Sequence, residues 1–172
     1  MVSESRNSAY DHAALIIVDV QRGFINSNTD HIPGVVQGIQ SDYQHVFCTK
    51  FMNSLGSPWT EWLHWHRFLP GSTDTELAFE PTPNAIILEK GRYTCVDSQF
   101  ISQLASRNIA EIHLCGIDTD ICVSKCAVDL FENGIRPIVL AKYCASHAGP
   151  SAHERGLATL RRYIGPEQIA LA

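Results

Sequence analysis

The sequence predicts an α/β fold: a mostly parallel β-sheet with helices on both sides. Short, near-continuous apolar runs recur along the chain, and segments with helical spacing of apolar residues separate them. That alternation implies βαβ units, which build parallel sheets covered on both faces.

The first run, residues 13–20 (AALIIVDV), has the composition of a strand buried on both faces. Residues 45–51 (HVFCTKF), 85–89 (AIILE), 111–117 (EIHLCGI) and 136–141 (RPIVLA) read alike, and 168–171 reads as a sixth, terminal strand. Between them, 97–107 places Phe100, Ile101 and Leu104 on one helical face. Residues 122–132 carry Val123, Cys126, Ala127, Leu130 and Phe131 at i, i+3, i+4, i+7 and i+8 spacing. Asn133-Gly134 closes that helix as a left-handed cap. Residues 151–164 open with Ser151 and Glu154 in capping-box spacing and stop at Gly165-Pro166. A helix over 29–43 is weakened by Pro33, Gly34 and Gly38. Residues 53–83, rich in Trp, His, Pro and Gly, break the pattern and read as a long loop. Loops that long inside a compact domain are usually functional.

The length of 172 residues fits one domain spanning 1–172, with 45% apolar and 18% charged residues as in ordinary globular proteins. The net charge of -5 and the scattered Lys and Arg argue against nucleic acid or an anionic membrane as partner. Residues 1–11 are polar with no signal core, and no stretch approaches the ~20 apolar residues of a membrane span. A cytoplasmic protein is the simplest reading. Of the six cysteines, Cys48, Cys115 and Cys144 lie in or at the ends of apolar runs, where Cys behaves as a small hydrophobe. Without a secretion signal, reduced thiols are expected.

In open α/β sheets, ligands bind beyond the carboxyl ends of the strands. The first strand ends in Asp19, the third in Lys90, and the fourth leads through a turn to Cys122. A carboxylate, an ammonium and a thiol thus share one sheet edge. Taken singly, such an Asp or Lys is usually a solvated loop residue and such a Cys usually core; their common placement favours function. Thr119 or Asp120 as N-cap puts Cys122 in the first turn of its helix, where the helix dipole and Lys90 favour the thiolate. Asp19 is placed to act as general base. Gln21 reads as a brace for the strand end, and Cys126, one turn deeper, as core.

Asp19-Val20-Gln21, Glu89-Lys90 and the segment GIDTDICV at 116–123 together resemble the isochorismatase-like superfamily of cysteine hydrolases. Pro70-Gly71-Ser72, Arg92-Tyr93 and the helix bearing His153 are similar to the family as well. The resemblance implies a three-layer α/β/α sandwich with Asp19, Lys90 and Cys122 as the catalytic three. It further implies a non-proline cis peptide at 117–118 and an oxyanion hole made by the backbone N–H groups of Asp118 and Cys122. The implied activity is hydrolysis of a C–N bond in a small amide, carbamoyl or ureide substrate through a thioester-type acyl-enzyme. A homo-oligomer and no cofactor are implied with it. The alternatives are vinyl-ether hydrolysis of the isochorismatase type, disfavoured because Cys122 is present, and a catalytically silent relative that binds a small molecule or a partner. A dinucleotide-binding domain is disfavoured because no G-x-G-x-x-G follows the first strand.

Departures from the family pattern matter equally. Where nicotinamidases carry an Asp-x-His pair for a metal, this chain has Phe51-Met52-Asn53. His64 and His66 alternate in the long loop, but two ligands make a poor zinc site, so no metal is expected. Where the family often has Ser-Ala-Phe, the run here is Thr94-Cys95-Val96, and the smaller Val96 points to an altered pocket wall. Phe24, Trp59, Trp62, Trp65 and Tyr93 are the aromatic pocket candidates, with Phe24, Trp62 and Tyr93 taken as the substrate contacts.

Overall fold

The computed structural model describes residues 13–171, so the polar segment 1–11 lies outside the described residues. Six strands, β1 (Ala13–Val18), β2 (His45–Phe51), β3 (Ile86–Lys90), β4 (Glu111–Ile117), β5 (Arg136–Ala145) and β6 (Ile169–Ala170), form one sheet. Their order is β3-β2-β1-β4-β5-β6, and every pairing is parallel. From β1 the chain steps outward to β2 and β3, then returns to β4 beside β1 and steps outward the other way. Right-handed crossovers then place the connecting helices on opposite faces, giving an α/β/α sandwich. Helix α1 (Ile32–Ile39) joins β1 to β2. Helices α3 (Ser98–Ser106), α4 (Ser124–Glu132) and α5 (Pro150–Tyr163) follow β3, β4 and β5.

The central strands explain the apolar runs. All six residues of β1 are buried, and all of β4 except its first, because both strands are covered on both faces. Edge strand β3 alternates instead, leaving Ile87 exposed. The strand expected over 13–20 stops at Val18, because Asp19 turns into the left-handed region at φ 47° and Gln21 N donates to Asp19 O at 2.8 Å. Strand β3 starts one residue later than the sequence suggested and takes in Lys90. Strand β5 runs on to Ala145 past an irregularity: Val139 pairs with Leu114, but the next partner of β4, Gly116, meets Cys144. On its other side β5 pairs with β6 through Val139 and Leu140.

The helices show two corrections. Helix α5 begins at Pro150 after Gly149, without a side-chain cap. The proline's fixed φ at the first helical position replaces the capping box expected of Ser151 and Glu154. The helix expected over 122–132 opens as a π-helical turn, Thr119–Val123, that passes into α4, with Asp118 rather than Thr119 or Asp120 at its N-cap position. Val123 N reaches back five residues to Asp118 O at 3.0 Å. Gly134, at φ 74°, does close α4 as expected.

The strand order reverses between β1 and β4. In such sheets the crevice beyond the carboxyl ends lies at that reversal. Asp19 follows β1 there, and the Ile117–Asp118 bond, which is cis, ends β4 there.

Candidate active site

The carboxyl ends of β1, β2, β3 and β4 bring four side chains together. Asp19 is wholly buried and turned inward by its left-handed backbone, a conformation that Asp tolerates better than most residues. Thr49 of β2 fixes it from two sides. The Thr49 hydroxyl donates to Asp19 Oδ1 at 2.6 Å and accepts from Asp19 N at 3.0 Å. Lys90, at the end of β3, donates from Nζ to the other carboxylate oxygen, Oδ2, at 2.6 Å, and to Arg92 O at 3.0 Å. The same Nζ lies 3.8 Å from Cys122 Sγ. The sequence-predicted three, Asp19, Lys90 and Cys122, therefore meet in one place. Thr49 was not foreseen; its only signal is a hydroxyl at a buried position of β2.

Burial sets the protonation of this cluster. Desolvation alone would lower the pKa of Lys90, but the Asp19 carboxylate and the neighbouring thiols outweigh it and raise the value. Lys90 is thus a standing ammonium. Cys122 is pushed well above the ordinary thiol value, first by burial and then by the Asp19 charge, with Lys90 opposing. This corrects the expectation of a thiolate favoured by the helix start. Cys122 is 6% exposed, and loss of hydration outweighs the ammonium. The resting sulfur carries its proton and has the carboxylate as neighbour.

The other thiols differ in surroundings. All six cysteines are free and buried. Burial pushes Cys48 and Cys144 up to about 12, as suits the structural role expected of them. Cys126 lies behind the site as core, with its Sγ 4.0 Å from that of Cys95.

Cys122 opens onto a cleft of about 300 Å³. Phe24, Phe51, Trp59, Trp65 and Tyr93 form its aromatic wall, and Leu63 and Ile121 complete the apolar lining. Trp59 meets Tyr93 edge-on at 5.4 Å and Phe51 at 5.1 Å, while Phe24 stacks on Phe68 at 4.2 Å and on Trp65 at 6.5 Å. Phe24 and Tyr93 thus line the cleft as expected. Trp62 does not: it ends the short helix α2 (Pro58–Glu61), is 78% exposed, and sits outside the wall. Trp59, three residues earlier, turns inward in its place. Val96 is likewise no part of the wall but belongs to the buried core, so its size says nothing about the cleft.

The long loop is shaped by Asn53. Its side-chain amide donates to Trp65 O and Arg67 O, and its carbonyl accepts from Ser54 N and the Ser57 hydroxyl. Every hydrogen-bonding position of Asn53 is spent on curling residues 54–67 so that Trp59 and Trp65 face the cleft. Gln21 braces the adjoining strand end as expected, bonding Phe51 N, Phe51 O and Thr75 O. Phe51, Met52 and Asn53 therefore do not fit a metal. The first is a wall of the cleft, and the last has no lone pair to spare. His64 and His66 are exposed loop residues. Among the described residues no three His, Cys, Asp or Glu side chains are grouped to hold an ion.

Two histidines that the sequence reading gave no role complete the surroundings. His153 of α5 bonds from Nδ1 to the buried Thr119 hydroxyl at 2.7 Å, tying that helix to the turn that bears Cys122. The same interface is so close that a Cβ on Gly156 would lie 2.7 Å from the Cα of Asp120. His147, in the loop after β5, grips Asp118: its backbone N–H donates to Oδ1 at 2.7 Å and its Nδ1 lies 2.5 Å from Oδ2.

Comparison with known proteins gives the family and its fold. The profile of the isochorismatase domain family matches residues 13–168. An uncharacterized isochorismatase family protein PncA of Bacillus subtilis is 35% identical over 89 residues, which is 51% of this chain and 48% of that protein. The chain thus matches about half the length of that curated relative. Among solved structures, nicotinamidase PncA from Bacillus subtilis superposes with a TM-score of 0.73 at 25% identity, over 92% of this chain and 99% of that one. N-carbamoylsarcosine amidase from Thermoplasma acidophilum gives 0.76 at 21% identity, over 92% and 94%, a likeness of fold.

Proposed function

The chain belongs to the isochorismatase family, and from that premise we propose that it is a cysteine-dependent hydrolase cleaving the C–N bond of a small amide, carbamoyl or ureide compound. The observation that carries the reading is the single ammonium, Lys90 Nζ, lying 2.6 Å from the Asp19 carboxylate and 3.8 Å from the Cys122 sulfur. A buried base and a protonated nucleophile are held together there at the mouth of an apolar cleft.

The chemistry follows from that arrangement. Substrate entry brings a carbonyl carbon to Cys122. Asp19 takes the thiol proton as the sulfur attacks, so the costly buried thiolate exists only as it is consumed. Lys90 holds the carboxylate in place and offsets the negative charge on sulfur. The backbone N–H groups of Asp118 and Cys122 receive the developing oxyanion, an interaction that supplies about 3–4 kcal/mol per donor in comparable sites. The C–N bond breaks as protonated Asp19 returns its proton to the leaving nitrogen. Water then attacks the thioester, giving its proton to Asp19, and the acid departs with the thiol restored.

The test is a screen of primary amides, N-carbamoyl compounds and ureides for ammonia release, with the acid product measured alongside. The expected result is one-to-one release of ammonia and acid (or carbon dioxide, where the acid is carbamic) from at least one class. Turnover of none, or hydrolysis confined to vinyl ethers, would overturn the proposal.

A further inference from the structure

We infer that His147 is the residue that selects the substrate, by donating a hydrogen bond from Nε2–H to a carboxylate on the acyl part of the molecule. The inference rests on the amide-hydrolase reading above and names the class of amide it takes: small, flat or apolar in its body, and anionic at the end away from the scissile bond.

The lining of the cleft leads to this. Its wall is aromatic and aliphatic apart from Cys122, Asp118, His147 and the edge of Tyr93. Among the described lining residues, His147 carries the only basic side chain. Pockets of this kind take orientation from a few placed polar groups, since apolar contact alone does not fix direction. Asp118 is not available for that task, because both of its carboxylate oxygens are engaged by His147. The pairing also cancels its charge, so the cleft does not repel an anion. His147 retains one free edge. Nδ1 faces Asp118, and among the described residues Nε2 has no hydrogen-bond partner, although the side chain is 43% exposed at the cleft.

The ring is also held firmly. Phe24 packs against it at 5.6 Å between centroids, and its backbone carbonyl accepts from the Asn26 and Asn28 side chains. A fixed imidazole loses little freedom on binding, which makes the hydrogen bond it offers more selective. The orientation of the pair decides what Nε2 offers. With Nδ1–H given to Asp118, Nε2 accepts when the ring is neutral and donates when it is protonated. The Asp118 carboxylate raises the pKa of His147 above the ordinary 6.5, against the effect of burial. Asp120 in the Cys122 turn adds to the rise, and Arg67 in the long loop opposes it. The donating, cationic form therefore persists to higher pH than in a free histidine and is lost as pH climbs through the raised value.

The test compares 4-carbamoylbenzoate and succinamate with their neutral counterparts 4-methylbenzamide and butanamide, in the wild-type protein and in His147→Gln. Binding to Cys122→Ala is followed in parallel by the fluorescence of Trp59 and Trp65, which needs no turnover. The expected result is that the carboxylates bind at least about tenfold tighter than the neutral amides, the scale of one charge-assisted hydrogen bond. That preference should fall with rising pH and collapse in His147→Gln, where the ratio of kcat/KM for the carboxylates to that for their neutral counterparts falls by at least about tenfold. A merely structural His147 would move all four compounds together. Equal binding of carboxylates and neutral amides, or a preference that survives His147→Gln or does not follow pH, would overturn the inference. Selective binding without hydrolysis of any amide would instead sink the proposed reaction and leave the recognition role standing.

Discussion

Asp19→Asn is expected to lower turnover of any accepted amide by roughly 10³–10⁴-fold and to destabilise the fold by about 3–5 kcal/mol. The activity falls because asparagine cannot take the thiol proton as the sulfur attacks or return it to the leaving nitrogen. The stability falls for a separate reason. Lys90 is 6% exposed and its charge is balanced by Asp19 at 2.6 Å; removing the carboxylate strands an ammonium in the interior. Cys122→Ala should separate the two effects. It removes the nucleophile, lowering turnover by at least about 10⁴-fold, yet it deletes one small atom from a cleft wall and should change stability by roughly 1 kcal/mol or less. Denaturant unfolding beside steady-state rates on the same preparations checks both. An Asp19→Asn protein within tenfold of wild-type activity, or as stable as wild type, would contradict the assignment of base and buried ion pair.

Gly116→Ala is expected to cost more than about 4 kcal/mol, enough to prevent stable folding in many proteins of this size. Gly116 sits in β4 at φ 119°, and a Cβ there would lie 2.2 Å from Val18 O and 2.7 Å from Val18 N. Those are backbone atoms of the neighbouring strand, one residue before Asp19, so relief would displace the carboxylate as well. Gly134→Ala is the matched control. It also has a positive φ, 74°, but nothing lies within 4 Å of its added carbon, so a loss of only about 1 kcal/mol is expected from backbone strain. Unfolding curves that place the two variants within 1 kcal/mol of each other would contradict the close approach of β1 and β4.

Much of the frame was legible because its signals are local. The buried runs of β1, β2 and β4 carry their own composition, and β2 and β4 have the bounds the sequence suggested. Strand-end position alone brought Asp19, Lys90 and Cys122 to one edge, since parallel strands send all their carboxyl ends the same way. What escaped depends on contacts between distant segments. Thr49 reaches Asp19 across thirty residues of sequence, and His147 reaches Asp118 across 29. Neither histidine nor threonine has a local pattern announcing it. Trp59 and Trp62 could not be ranked from sequence, because inward and outward positions on so short a helix are set by the Asn53 hydrogen bonds that close the loop. The thiolate expectation failed because helix position is visible in sequence while depth of burial at one atom is not.

The central claim concerns one sulfur atom, and covalent capture addresses it most directly. The protein is mixed briefly with an activated ester sharing the acyl group of an amide it hydrolyses, so that loss of the acyl group becomes the slow step. Acid quench and peptide mass spectrometry then locate the adduct. The predicted result is one acyl group per chain, on the peptide containing Cys122, cleared at the rate of turnover and missing from Cys122→Ala. Turnover with no adduct on that peptide, or an adduct on another residue that clears at the catalytic rate, would contradict the account.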